Sequence, residues 1–527
     1  MCQPPITNAT NSVSSDAHHL FLQNPSSSDE TPFLRRKPPQ PSPPAPPTAR
    51  PLPLYFKEAK SILSLSLPLI LTGLLLYSRS MISMLFLGRL GPLPLAGGSL
   101  AIGFGNITGY SVLSGLATGM EPICGQAHGA GRHSLLGAAL KRTILLLLSA
   151  SIPISFLWLS MRRILLLCRQ NPDIAAAAHS FIVFSIPDLL FQSFLHPLRI
   201  FFRTQSITFP LTATAAATAV LHFPINHLLV SHFRLGIPGV ALASVSTNAT
   251  LVLLLLIYLH FSGVNRRTGG LASSAGDDDT FSFHGWRNLL ALAVPSCVSV
   301  CLEWWWYEIM VLLCGLLQRP ESTVAAMGVL IQTTSLIYIF PSSLSSSVST
   351  RVGNELGANR PDRARRAAAV GIAGGGLLGL TAFSFSVSVR HLWAEIFTGD
   401  SEIVRLTAAV LPVLGLCELG NCPQTAGAGI LRGSARPRAA ANVNLGSFYG
   451  VGMPVAVCLA FWAGLDFMGL WVGLLAAQVS CLGLMLLVVL RTDWDRQAGR
   501  AQRLTGGACR REDDDVDCKP IDITVDQ

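Results

Sequence analysis

Between positions 61 and 490 the chain returns twelve times to an apolar run long enough to cross a lipid bilayer. These runs lie at 61–87, 94–120, 135–159, 174–197, 207–231, 237–262, 288–316, 322–347, 366–391, 403–430, 439–463 and 467–490. A transmembrane helix needs about 20 such residues, and within hydrocarbon each backbone polar group must find its partner inside the segment. Half of the 527 residues are apolar and 13% are charged, too few charges to cover a soluble protein of this size. The runs predict an all-α polytopic membrane protein with twelve transmembrane helices.

Orientation follows from the cations. An even number of spans puts both ends on one side. If that side is the cytosol, the N-terminal segment, the even-numbered loops and the C-terminal tail hold 29 of the 38 Lys and Arg residues, and the opposite loops hold eight. This asymmetry places both termini in the cytosol. The formal charge of +9 then reflects topology and contact with anionic inner-leaflet lipid. No basic patch interleaves with aromatics, so nucleic acid is not an expected partner.

Residues 125–132 (GQAHGAGR) and 353–360 (GNELGANR) carry one signature, 228 positions apart. Gly125, Gly129, Ala130 and Arg132 match Gly353, Gly357, Ala358 and Arg360, and Gln126 faces Asn354. Near this offset Pro68 pairs with Pro295, Gly88 with Gly315, Ala96 with Ala325, Arg203 with Arg432 and Pro224 with Pro454. Such small drift marks a duplicated unit, the plan of many secondary transporters. The expected division is a disordered cytosolic leader at 1–56, an N-terminal lobe of six helices at 57–262, a cytosolic loop at 263–285, a C-terminal lobe of six helices at 286–491, and a cytosolic tail at 492–527.

The leader is rich in Ser and Pro, with PPQPSPPAPP at 38–47, and lacks the apolar stretch of a cleavable signal. Its sequon at Asn8 stays unused in the cytosol. The tail carries an acidic stretch from Glu512 to Asp517. The twelve cysteines are scattered and read as buried inert thiols. No Walker loop, HExxH, GxSxG or paired CxxC is present, so neither ATP hydrolysis nor another enzymatic activity is expected, and no cofactor or metal is implied.

Ionisable groups inside a span are costly and mark functional positions. Glu303 in CLEWWWYE is fifteen residues into the seventh run, about 22 Å along a helix and near the bilayer midplane. Tyr307 is one turn on and offers it a hydrogen bond. Glu308 lies about 140° around the helix from Glu303 and nearer the far interface. Glu418 in CELGNCPQ reaches the same depth in the tenth run, with Asn421 one turn on and Pro423 expected to kink or open the helix. Asp188 is the mid-span acid of the first half, a proton site or a partner of Arg199 or Arg203. Glu121, just before the first octet, and Glu355, inside the second, are expected in glycine-rich loops. Glu355 is expected to join Arg351, Arg363 or Arg365 in a cytosolic gate or brace with Gln126, Glu121 and Asn354. Arg79 lies within the first run and needs a partner that the sequence does not name.

LFLGRLG (85–91), ITGYSVLSGLATGMEPICGQAHGA (107–130), PLRIFFRTQ (197–205), CLEWWWYE (301–308), RVGNELGA (351–358) and GILRGSARP (429–437) together resemble the plant MATE (multidrug and toxic compound extrusion) transporters of the DETOXIFICATION group. The resemblance covers most of 55–495. It implies two pseudo-symmetric six-helix lobes forming a V, with a central cavity that opens alternately to each side, and proton-coupled export of organic compounds. It makes Glu303 the family's proton and substrate glutamate in helix seven. The helix-ten aspartate of many plant members falls on Asn421, which cannot titrate, so Glu418 is expected to take its role. The first-helix aspartate of bacterial members has no counterpart in 61–87.

The expected function is that of a secondary active antiporter, working as a monomer, with a small organic substrate and protons as the coupling ion. A buried carboxyl gains from being neutral and a bound cation favours its charged form, so protonation from the acidic side releases a cationic substrate. The membrane is the plasma, vacuolar or endosomal one. Alternatives are a lipid-linked flippase of the wider superfamily, a major-facilitator carrier and a non-transporting scaffold. The first expects a larger, more basic cavity, the second lacks the GQAHGA octet, and the third gives no role to the midplane acids.

Overall fold

The computed structural model describes residues 51–168, 170–269 and 282–506. The leader before 51, most of the loop between the halves and the acidic stretch of the tail lie outside the described residues. Twelve helices are long and apolar enough to span a membrane. They are α1 (Pro51–Leu90), α2 (Pro92–Gly129), α3 (His133–Leu159), α4 (Pro172–Thr204), α5 (Phe209–His232), α6 (Ile237–Phe261), α7 (Phe283–Cys314), α8 (Pro320–Gly357), α9 (Pro361–Val389), α10 (Ser401–Gly433), α11 (Pro437–Trp462) and α12 (Asp466–Leu490). An amphipathic helix, α13 (Trp494–Leu504), follows. No strand occurs among the described residues.

Local chemistry sets the helix starts. Proline opens α2, α4, α8, α9 and α11, where its missing N–H costs nothing. Asn171 caps α4 by accepting from the Asp173 amide at 2.8 Å, and Asp400 caps α10 through the Glu402 amide at 2.8 Å. The tight joint between α1 and α2 rests on Gly91 at φ 121°, a conformation closed to residues with a Cβ. A π-turn at Asn106–Tyr110 interrupts α2. There the Trp158 indole of α3 covers Gly109 and donates to Thr108 Oγ1 at 3.0 Å.

The helices form two six-helix lobes, α1–α6 and α7–α12, each with its own apolar core. Trp158, Phe201 and Phe202 fill the first, and Trp306, Phe448 and Trp471 fill the second. A third core lies at the end of the bundle carrying Pro51 and α13, here called the terminal face. It joins Ile62 of α1 to α8, α9, α10 and Ala498 and Ala501 of α13. The start of α1 therefore packs on the second lobe.

One expectation is corrected. The octets at 125–132 and 353–360 are not loops: α2 and α8 continue to Gly129 and Gly357, because their glycines let two helices meet backbone to backbone. The described part of the tail forms α13: Asp493 caps it through the Arg496 amide at 3.0 Å, and its alanines complete a core. The helix α10 runs unbroken through Pro423, which packs against Gly375 of α9, so of the two expected effects of the ring the helix does not open there.

Candidate functional site

The octets meet at the terminal face, across the boundary between the lobes. A Cβ on Gly125 would touch the Gly353 Cα at 3.5 Å. A Cβ on Gly129 would overlap the Asn354 carbonyl, and one on Gly357 the Gln126 carbonyl. Gln126 Nε2 donates to the Gly433 carbonyl at 3.0 Å, and Asn354 Nδ2 to the Thr204 carbonyl at 3.2 Å. Each amide thus reaches the end of the fourth helix of the opposite lobe. Glu121, 2% exposed, sits between two arginines related by the duplication. Arg203 Nη2 is 3.0 Å from its Oε1, and Arg432 Nε of the other lobe is 3.6 Å from its Oε2. The position matching Glu121 in α8 is Ser349, so one carboxylate serves both cations.

A second bridge between the lobes starts at Arg351. Its Nε and Nη2 donate to Glu58 of α1 at 2.8 and 3.0 Å, and Nη2 also donates to Glu355 at 2.8 Å. Arg360 lies 3.8 Å from Glu355. Arg363 and Arg365 are exposed, so the ion-pair partners of Glu355 are Arg351 and Arg360. Glu58 was missed in the sequence because it precedes the first apolar run.

In the second lobe Glu418 is 2% exposed. Asn421 Nδ2 donates to its Oε2 at 2.9 Å, and the Cys422 thiol lies 3.7 Å from the same oxygen. Asn421 Oδ1 accepts from Gln424 at 3.3 Å and Thr425 at 3.4 Å. The Cys481 thiol of α12 then lies 3.5 Å from Gln424 Oε1 and 3.6 Å from Asn444 Oδ1 of α11. Asn444 Nδ2 donates to the Ser299 hydroxyl at 3.1 Å and carbonyl at 3.2 Å. Ser299 is one helical turn before Glu303 on α7. This polar chain thus runs from Glu418 to the neighbourhood of Glu303.

Glu303 is half-buried and lies within electrostatic range of Glu418 and Arg432. Its facing hydroxyl is Tyr338 of α8. The expected Tyr307–Glu303 hydrogen bond is absent among the described residues, because Tyr338 approaches across the lobe. The half-buried Tyr307 stands within range of both acids. The three tryptophans part company. Trp306 is fully buried against Phe448, whereas Trp304 and Trp305 remain exposed and Trp305 donates to the Ile107 carbonyl of the first lobe at 3.1 Å. Glu308 lies apart from Glu303 beside Gly103 of α2, where an added Cβ would meet its oxygens at 3.8 Å.

In the first lobe Asp188 is bonded to neither Arg199 nor Arg203. It accepts from Asn248 at 2.7 Å, Tyr110 at 3.0 Å and Gln192 at 3.2 Å. Asn248 Oδ1 in turn accepts from Arg79 at 2.7 Å. The intramembrane arginine thus has its partner, an uncharged amide whose role no local sequence signal betrays.

The MatE family model matches residues 68–228 and 295–458, two copies on the two lobes with starts one residue short of the octet spacing. Over 462 residues the chain is 62% identical to Protein DETOXIFICATION 49 of Arabidopsis thaliana, a match spanning 87% of this chain and 91% of that protein. Over 448 residues it is 59% identical to Protein DETOXIFICATION 51 of the same plant, spanning 85% and 83%. The crystal structure of the eukaryotic MATE transporter AtDTX14 superposes with a TM-score of 0.81 at 32% identity, covering 86% of this chain and 100% of that one. With the family matched on both lobes and its relatives matched over most of their length, the chain belongs to the MATE family of multi-pass membrane efflux transporters, in its DETOXIFICATION group.

Proposed function

We propose that the chain exchanges an organic compound leaving the cytosol for protons moving inward, with the two carboxyls of the second lobe as the coupling groups. The observation that carries this reading is the pairing of Glu303 and Glu418, two interior acids from α7 and α10 within electrostatic range of each other. Two like charges so placed resist simultaneous ionisation, and either a proton or a cationic ligand relieves them. Protonation from the acidic side lowers the affinity for a cation or weak base and releases it. Deprotonation towards the cytosol restores the affinity. Asn421, at the position expected for a second acid, instead donates to Glu418, which makes Glu418 the partner of Glu303. Tyr307 and Glu308 line the same half of the path, and Asp188 holds the first lobe together.

In this reading the terminal face is cytosolic. The octet seam, with Gln126, Glu121, Asn354, Glu355 and Arg351, is the cytosolic gate in its closed state, and one chain suffices for transport. The test is efflux from proteoliposomes under an imposed pH gradient, without sodium, across cations, phenolics, organic acids and hormones. The expected result is gradient-driven movement of at least one class, abolished in Glu303→Gln and Glu418→Gln at unchanged unfolding temperature. Undiminished proton-driven transport in Glu303→Gln removes that residue from the mechanism, and dependence on sodium instead of pH overturns proton coupling.

A further inference from the structure

Along α4 the residues Asp188, Gln192, His196, Arg199 and Arg203 fall within an arc of about 80°. This face looks into the molecule. Asp188 is held by Tyr110 of α2 and Asn248 of α6, while Arg203 reaches Glu121 and, in the other lobe, Ser346 at 3.1 Å. Arg199, one turn from Arg203, stands differently. It is half-buried, and no hydrogen bond or ion pair to its guanidinium occurs among the described residues. Among the described residues, the charged or titratable groups within electrostatic range of it are Arg79, Arg203 and the imidazole of His196, none of them a carboxylate.

A half-buried guanidinium with two other arginines in range and no counter-charge is costly unless an anion meets it. The fold does not require a cation there: by the pairing of Arg203 with Arg432, the α10 position equivalent to Arg199 is Ala428. The charge balance points the same way. The interior of the first lobe sets Arg79, Arg199 and Arg203 against Asp188 and Glu121, and Glu121 is shared with Arg432. The interior of the second lobe carries Glu303 and Glu418.

We propose that Arg199 is an anion-recognition residue that receives the carboxylate of an organic acid or zwitterionic compound, with the acids of the second lobe facing the proton-bearing or cationic part. A planar guanidinium fork matches a carboxylate bidentately. The proposal rests on the reading of the space between the lobes as the substrate path.

The experiment is equilibrium binding of para-aminohippurate and of its uncharged methyl ester to the full chain in nanodiscs, followed by calorimetry with no gradient. The wild type is expected to prefer the acid by about tenfold or more, the scale of a charge-assisted contact. Arg199→Gln is expected to bring the two ligands within about twofold of each other. Arg199→Lys, which keeps the charge and loses the fork, is expected to retain part of the preference. Its intermediate ratio supports the site even where the glutamine variant fails to fold. Equal binding of acid and ester by the wild type, or a full preference surviving in either variant, overturns the proposal. Because no gradient is involved, a wild type that prefers the acid yet moves nothing under a pH gradient overturns only the antiport reading. A wild type that transports but does not discriminate overturns only the anion site.

Discussion

Arg79 and Asp188 do not touch: the amide of Asn248 stands between them, its oxygen 2.7 Å from the guanidinium and its nitrogen 2.7 Å from the carboxylate. One neutral side chain bridges the two charges. Asn248→Ala strands Arg79 and leaves Asp188 with the hydrogen bonds from Tyr110 and Gln192 alone, and uncompensated buried charge costs roughly 3–5 kcal/mol. A large drop in unfolding temperature in detergent is the expected outcome. Asn248→Gln, which keeps both functions on a longer stem, is expected to lose less. Equal stability of wild type and the alanine variant would show that water replaces the amide.

At Gly129 and Gly357 the seam of the octets tolerates no side chain. Gly129→Ala and Gly357→Ala each drive a methyl into a carbonyl of the other lobe, so the terminal face cannot close as it does here. Spin labels across that face are expected to report a longer distance in either variant. Gly88→Ala meets open space and serves as the matched control with an unchanged distance.

Glu121 lies between Arg203 and Arg432 of opposite lobes. Glu121→Gln leaves two cations facing each other across the boundary, and like charges at this range repel. The expected outcome is a population shift towards an open terminal face, read as faster cysteine labelling at seam positions. Unchanged labelling would mean that the glycine seam alone keeps the face shut.

Asn421→Asp places a second acid one turn from Glu418, where the wild-type amide donates at 2.9 Å. Two adjoining carboxyls titrate as a pair, and the second proton leaves only at higher pH than the first. The pH profile of gradient-driven transport is expected to broaden and to extend its basic limb. A profile identical to the wild type would indicate that Glu418 does not titrate during transport.

The octets show how much of this was legible in sequence. Their spacing and their glycines declared a duplicated, close-packed contact, since only glycine permits backbones to meet. Glu303 and Glu418 were legible too, because a carboxyl inside an apolar run is rare and costly. Glu58, Tyr338 and Asn248 were not. The first lies outside the apolar runs, and the other two carry no charge to draw the eye.

By itself the sequence determined the number of spans, the two-fold division and which acids lie within the spans. These depend on period, length and hydrophobicity along one chain. Only the tertiary structure decided which partner each polar group takes: Glu121 with two arginines, Arg79 with an amide, Glu303 with a tyrosine from α8, and Arg199 with none among the described residues. Helices α1, α2, α4, α6, α7, α8 and α10 bring these groups together from positions as many as 311 residues apart (Glu121 and Arg432). No local pattern encodes such a meeting, because lipid drives residues inward without specifying which of them will face one another.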